Sequence, residues 1–153
     1  MKELILAKFN TLMYMDNNIA SIIDNYMNGE VEIYYPGEDI LKTKYSIRCG
    51  VIEGEYKEWH VNGVLRVHTT YKGGKIQGKF RRWWSNKRLM YKCYYNKGIL
   101  DGEFKSWYRY GKPESECFYK EGKLHGEYKT WELDGEIQHH RYYENGLKIK
   151  VIL

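Results

Sequence analysis

Gly54-Glu-Tyr-Lys-Glu-Trp59 returns as Gly78-Lys-Phe-Arg-Arg-Trp83, Gly102-Glu-Phe-Lys-Ser-Trp107 and Gly126-Glu-Tyr-Lys-Thr-Trp131, each opening glycine 24 residues after the last. Outward from the hexamers the match continues through turn dipeptides at Asn62-Gly63, Asn86-Lys87, Tyr110-Gly111 and Asp134-Gly135. A tyrosine follows at Tyr71, Tyr95, Tyr119 and Tyr143, then a glycine at Gly74, Gly98, Gly122 and Gly146. Four copies without an insertion make the chain an array of one supersecondary unit. With each opening glycine counted as zero, positions in a unit are written +1, +2 and so on. Upstream, Gly29-Glu-Val31 and Ile47-x-x-Gly50-x-Ile52 follow the template loosely. Residues 29–53 therefore read as a degenerate unit, followed by units 54–77, 78–101, 102–125 and 126–149 and a terminal strand over 147–153. Atypical end units suit capping repeats.

Within a unit the chemistry is that of a β-hairpin. Asn62-Gly63 and Asp134-Gly135 predict type I′ turns, because both central residues of that turn need positive φ and each pair lies between runs rich in Tyr, Trp, Val and Thr. Gly73-Gly74, Glu121-Gly122 and Asn145-Gly146 mark a second turn that passes the chain to the next hairpin. The fold class that follows is mainly β, an elongated single-layer antiparallel sheet of tandem hairpins, roughly 40 to 50 Å long at about 4.8 Å per strand. A unit this short cannot cover its sheet with helices, so Tyr56, Phe80, Phe104 and Tyr128 at +2 are expected to stack on their counterparts in adjacent units. The +2 aromatic and the +5 tryptophan are three residues apart, which places them on opposite faces of a regular strand. Two stripes result, Trp59, Trp83, Trp107, Trp131 and Tyr71, Tyr95, Tyr119, Tyr143.

The flanks differ. Over residues 1–28, Ile19, Ile22, Ile23, Tyr26 and Met27 recur with helical spacing after the capping candidates Asp16 and Asn17, which predicts a short helical cap on the first hairpin. Leu147-Lys-Ile149-Lys-Val151-Ile-Leu153 alternates like a strand and leaves an edge. That edge is expected to pair with its own copy through Ile149, Val151 and Leu153, giving a homodimer.

Composition agrees with a β array: 16% of the residues are aromatic, while alanine occurs only at Ala7 and Ala20. At 153 residues and 42% apolar the chain is long enough for one folded domain. Its longest apolar stretches, such as Leu4-Ile5-Leu6-Ala7, fall far below the roughly 18 residues of a membrane span. No secretory signal is readable, so a cytoplasmic location is expected, host cytoplasm or virion if the source is viral. Cys49, Cys93 and Cys117 form no C-x-x-C pair and read as reduced thiols. Cys93 and Cys117 repeat one position in adjacent units about 10 Å apart, beyond disulfide reach, as small buried apolar groups.

The stretch Tyr119-Lys-Glu-Gly122-Lys-Leu-His-Gly126-Glu-Tyr128-Lys-Thr-Trp131 resembles the MORN repeat, the membrane occupation and recognition nexus, in the variant found in tandem in bacterial antitoxin-like proteins and large DNA viruses. The resemblance covers about residues 29–150. It departs from the family pattern at Tyr91-x-Cys93, Ser115-x-Cys117 and His139-x-Arg141, which stand where the family has Tyr-x-Gly, and at the second glycine of Gly-x-Gly, an aromatic here. The resemblance implies the sheet fold and a non-enzymatic scaffold that binds a protein partner, antitoxin-like or viral, without a cofactor.

Among candidate contact residues, the +3 position is basic in every unit, at Lys57, Arg81, Lys105 and Lys129, and predicts a positive stripe with neighbours about 10 Å apart. A peripheral adaptor on anionic phospholipid membranes is the second reading this supports. Against it stand the acids Glu55, Glu103 and Glu127 at +1, which would pair with the stripe. Trp84 and Tyr108 at +6 look free to meet a partner, together with Tyr91 and His139 at +13. Arg81-Arg82-Trp83-Trp84 resembles a single-strand nucleic-acid platform, but the repeat needs its tryptophans for packing, which disfavours nucleic acid. No spacing of Cys, His and acid supports a metal site or a catalytic set, so neither is expected.

Overall fold

The computed structural model describes residues 27–153, so the helical cap expected over 1–28 lies outside them but for Met27 and Asn28. The strands are β1 (Gly29–Tyr34), β2 (Leu41–Arg48), β3 (Val51–Trp59), β4 (Leu65–Lys72), β5 (Lys75–Ile76), β6 (Gly78–Trp83), β7 (Leu89–Asn96), β8 (Ile99–Leu100), β9 (Gly102–Trp107), β10 (Pro113–Lys120), β11 (Lys123–Trp131), β12 (Ile137–Glu144) and β13 (Leu147–Val151). They make one open antiparallel sheet in the order β1-β2-β3-β4-β6-β7-β9-β10-β11-β12-β13, with β5 paired to β4 and β8 to β7. Ten strand intervals of about 4.8 Å give a ribbon of about 48 Å.

The two kinds of turn exchange the roles expected of them. Positive φ at both central residues occurs at Gly73/Gly74, Lys97/Gly98, Glu121/Gly122, Asn145/Gly146 and Cys49/Gly50, so the two-residue type I′ turns join one hairpin to the next. At Asn62-Gly63 and Asp134-Gly135 only the glycine has positive φ, 75° and 102°. There Gly63 N–H donates to the His60 carbonyl at 2.8 Å and His60 N–H to the Val64 carbonyl at 2.8 Å, a three-residue loop built on a type I turn. Asn62 and Asp134 serve through their side chains: Oδ1 accepts from Val64 N–H at 3.3 Å and from Glu136 N–H at 2.9 Å. An Asx residue that folds back on the main chain two residues on has no need of the left-handed region.

A bulge recurs opposite every +5 tryptophan. Glu58 pairs with Val67 and Trp59 with Leu65, which leaves Arg66 over; Met90, Glu114 and Gln138 are the extra residues in the later units. Because the bulge lies on the partner strand, alternation from +2 to +5 survives, and the tryptophans share a face with the +1 and +3 residues, opposite the +2 aromatics.

The most buried residues form two columns on the +2 face: Thr69, Cys93 and Cys117 at 2%, 2% and 5% exposure, and beside them Thr43, Val67 and Ser106. Phe80 pairs with Cys93 and Phe104 with Cys117 across the strands. Successive +2 aromatics are two strands apart, about 10 Å, beyond the 4.5 to 7 Å reach of ring pairs. They therefore do not stack on one another as expected. Each packs instead on the +17 tyrosine of its own unit, with centroids at 5.4 Å (Tyr56–Tyr71), 5.8 Å (Phe80–Tyr95), 6.1 Å (Phe104–Tyr119) and 5.8 Å (Tyr128–Tyr143). Burial pushes the Cys93 and Cys117 thiols up to about 11, and Tyr119 up to about 12.

Candidate functional site: the charged face

The strand register converts the +3 stripe into something denser than the repeat spacing implies. Across the sheet, Lys44 lies opposite Lys57, Lys57 opposite His68, His68 opposite Arg81, Arg81 opposite Lys92, and Lys92 opposite Lys105. The row continues through Glu116 and Lys129 to His140. Residues at +14 thus sit between those at +3, so neighbours in the row are one strand, about 4.8 Å, apart and not 10 Å.

Most of this row is neutralised where it stands. Lys57 Nζ reaches Glu55 at 2.7 Å, Lys105 reaches Glu103 at 2.9 Å and Glu116 at 2.7 Å, Lys129 pairs with Glu127, and Lys44 bonds Glu30 and Glu32. The hydrogen bonds from Lys57, Lys105 and Lys129 hold the carboxyls of Glu55, Glu103 and Glu127 below the usual range. Three of the four stripe residues thus have a carboxylate partner, and the fourth, Arg81, has none among the described residues. Lys79 occupies +1 of its unit where the other three have Glu, and Lys92 reaches only as far as Glu103, at 3.2 Å. From Lys72 to Leu100 the chain carries nine Lys or Arg residues and no Asp or Glu.

Beside the cation row runs a row of aromatics that the hexamer comparison passes over. Tyr94, Phe118 and Tyr142 at +16 stand opposite Lys79, Glu103 and Glu127 and are 39%, 45% and 41% exposed. Lys79 Nζ lies 6.0 Å from the Tyr94 ring centroid. The signal for them is parity: Tyr94 and Phe118 come one residue after the buried Cys93 and Cys117, and Tyr142 one after Arg141 at the same position, so each points the other way. On the far side of the row stand the tryptophans. An open depression at Trp83 is lined by Asn62, Gly63, Val64, Leu65 and Lys87.

The residues read from the sequence as free for a partner are instead built into the array. Trp84 Nε1 donates to the Trp107 carbonyl at 3.3 Å and Tyr108 Oη to the Trp131 carbonyl at 2.8 Å, while His60 Nε2 lies 2.9 Å from the Trp83 carbonyl. The variable +6 side chain thus satisfies the bulged main chain of the next unit, a function that tolerates Trp, Tyr or His. Tyr91 is clasped between Phe80 and Phe104, at 5.6 and 5.7 Å with interplanar angles of 8° and 22°. His139, opposite Thr130, is half-buried and makes no side-chain hydrogen bond among the described residues. Further bonds tie turn to turn: Asn62 Nδ2 to the Ser85 carbonyl, Asn86 Nδ2 to Arg109 and Lys112 Nζ to Leu133.

At the end of the sheet, β13 pairs among the described residues with β12 alone, and every one of its residues is exposed. Leu147, Ile149 and Val151 are 70%, 58% and 57% exposed, and Leu153 beyond them 62%. Among the described residues no three His, Cys, Asp or Glu side chains converge as metal ligands, and no helix is long and apolar enough to cross a membrane.

The MORN repeat variant matches residues 52–72 and 100–121. No curated protein matches the chain. The crystal structure of TarM is similar over 97% of this chain at 11% identity with a TM-score of 0.39, and the chain spans 26% of that structure's length. The matched segments cover both strands of the β3–β4 hairpin in unit 54–77 and of its β9–β10 counterpart in unit 102–125. The same bulge, paired glycine and tyrosine, and aromatic contact recur in the intervening unit and the last one, so all four units share the architecture of the two that match the MORN repeat variant.

Proposed function

We propose that the protein is a non-enzymatic binding scaffold that engages a protein partner by strand addition to β13, a second copy of the chain being the simplest such partner. The observation that carries this reading is the edge itself: a strand with a neighbour on one side only among the described residues, apolar at alternate positions and exposed throughout. Such an edge offers unpaired main-chain donors and acceptors together with a row of apolar side chains. Two copies meeting edge to edge would continue the sheet about a two-fold axis.

Light scattering over a range of concentrations tests it. Wild type is expected to rise from monomer to dimer mass, and Ile149→Lys, which puts a charge in the middle of the edge, to remain monomeric at every concentration. A wild-type mass that stays monomeric, or a dimer that Ile149→Lys leaves intact, refutes the self-pairing form. An antitoxin-like or viral setting belongs to the same reading, and neighbouring genes test it: a toxin gene supports the first, virion genes the second.

A further inference from the structure

The centre of the charged face breaks the rule that the other units obey at +1: Glu55, Glu103 and Glu127 stand there, and unit 78–101 has Lys79, with Lys92 at +14 where the others have His68, Glu116 and His140. Arg81 in consequence stands directly between His68 and Lys92, and Lys92 between Arg81 and Lys105. Like charges directly opposite each other weaken a sheet. A chain that tolerates them at one unit, while pairing every neighbouring one, has a use for the positive charge there.

We propose that this face binds single-stranded nucleic acid laid across the strands, with phosphates on Lys79, Arg81 and Lys92 and bases stacked on Tyr94 and Phe118. Cations in a line beside exposed rings are what sequence-tolerant single-strand binding requires. The rings lie two strands apart, about 10 Å, alongside cations at about 4.8 Å, so a splayed strand can place backbone on one row and bases on the other. The depression at Trp83, walled by Leu65 and Lys87, lies beside the same row. A bilayer fits this face less well. Glu55 and Glu127, with side chains 63% and 56% exposed, flank the centre on either side and would be pressed against anionic headgroups. Glu103 and Glu116, 41% and 45% exposed beside Phe118, are both held by Lys105, and a single strand is narrow enough to keep its phosphates on Lys79, Arg81 and Lys92 and to meet Phe118 with a base alone.

Fluorescence anisotropy with a labelled oligothymidylate of about 20 nucleotides tests this. Binding is expected at 50 mM salt, with log K falling on log salt at a slope of about −2, as about three phosphate contacts at about 0.7 each would give. Lys79→Glu/Lys92→Glu installs the acids that unit 102–125 already carries, so the variant should fold. It should weaken binding at least tenfold and flatten the salt slope, with thermal unfolding unchanged or raised. Tyr94→Ala should weaken binding about tenfold and leave the slope alone, since stacking is not ionic. No binding at 50 mM salt, equal affinity in Lys79→Glu/Lys92→Glu, or flotation with phosphatidylserine vesicles that the oligonucleotide cannot compete away each overturns the proposal. Because none of these residues belongs to β13, the result is independent of the fate of the edge reading.

Discussion

Replacing Tyr91 by alanine separates its structural role from a role in partner binding. The ring is half-buried between Phe80 and Phe104, nearly parallel to both, and it makes the only aromatic contact recorded between units 78–101 and 102–125 among the described residues. Each stacked pair contributes about 1 kcal/mol beyond burial, and truncating a fully buried aromatic costs about 3 to 5 kcal/mol. For a half-buried ring holding two such pairs the loss comes to about 3 kcal/mol. In a chain of this length 1 kcal/mol moves Tm by about 2 to 4 °C, so Tyr91→Ala should unfold about 6 to 12 °C below wild type. Since a repeat array is stabilised neighbour by neighbour, the loss falls on one interface, and the denaturant transition should broaden or divide. Tyr91→Phe keeps both rings stacked and should stay within about 0.5 kcal/mol of wild type, as should Tyr110→Ala, whose side chain is at a loop tip and 77% exposed. Circular dichroism and urea titration of the four proteins decide the matter. If Tyr91→Ala melts with wild type, the clasp carries no energy, and the ring is free to serve a partner after all.

Two further outcomes follow from the charges and thiols. The carboxyls of Glu55, Glu103 and Glu127 are held below the ordinary value of 4.5 by Lys57, Lys105 and Lys129, so their pairs stabilise the fold above that value and lose the contribution as pH falls through the lower folded pKa. Tm should be level from pH 7 to about 5 and decline below about 4.5; a Tm that rises on acidification contradicts the pairing. Cys93 and Cys117 are buried with thiols pushed up to about 11, while Cys49 is exposed, so a disulfide reagent at pH 8 should titrate one thiol quickly and the other two only after denaturation. Three thiols reacting at one rate would contradict the buried column.

What the sequence made legible is what repeats. The 24-residue spacing located every hairpin, and the three-residue offset from +2 to +5 assigned the tryptophans and the +2 aromatics to opposite faces. What it did not disclose is cross-strand register. Stacking of Phe80 on Phe104 was expected because the two are equivalent, yet a strand lies between them, and only the register shows that Tyr91 and the Cys93 column fill the gap. The same blindness spaced the cations at 10 Å, because Lys92 and His68 belong to the return strands and their offset from +3 is not visible along the chain. Asn62-Gly63 was read as a type I′ turn from its dipeptide alone; the bulge at Arg66 lengthens the loop to three residues, and the asparagine acts through its side chain.

Variability along the repeat therefore has two physical meanings. At +6 the side chain changes from His60 to Trp84 to Tyr108, but each places a polar side-chain atom on the carbonyl of the next unit's tryptophan, so the variation is in shape and the interaction is retained. At +1 of unit 78–101 the variation reverses a charge, and among the described residues no carboxylate compensates Arg81 for it. A substitution that the packing absorbs gives no reason to look for a ligand. One that leaves Lys79 and Arg81 without a carboxylate among the described residues, and Lys92 with Glu103 alone, weakens the sheet by like-charge repulsion, which an anion lying along it would relieve. Of all the departures from the repeat in this chain, the charge reversal is the one that a partner would repay.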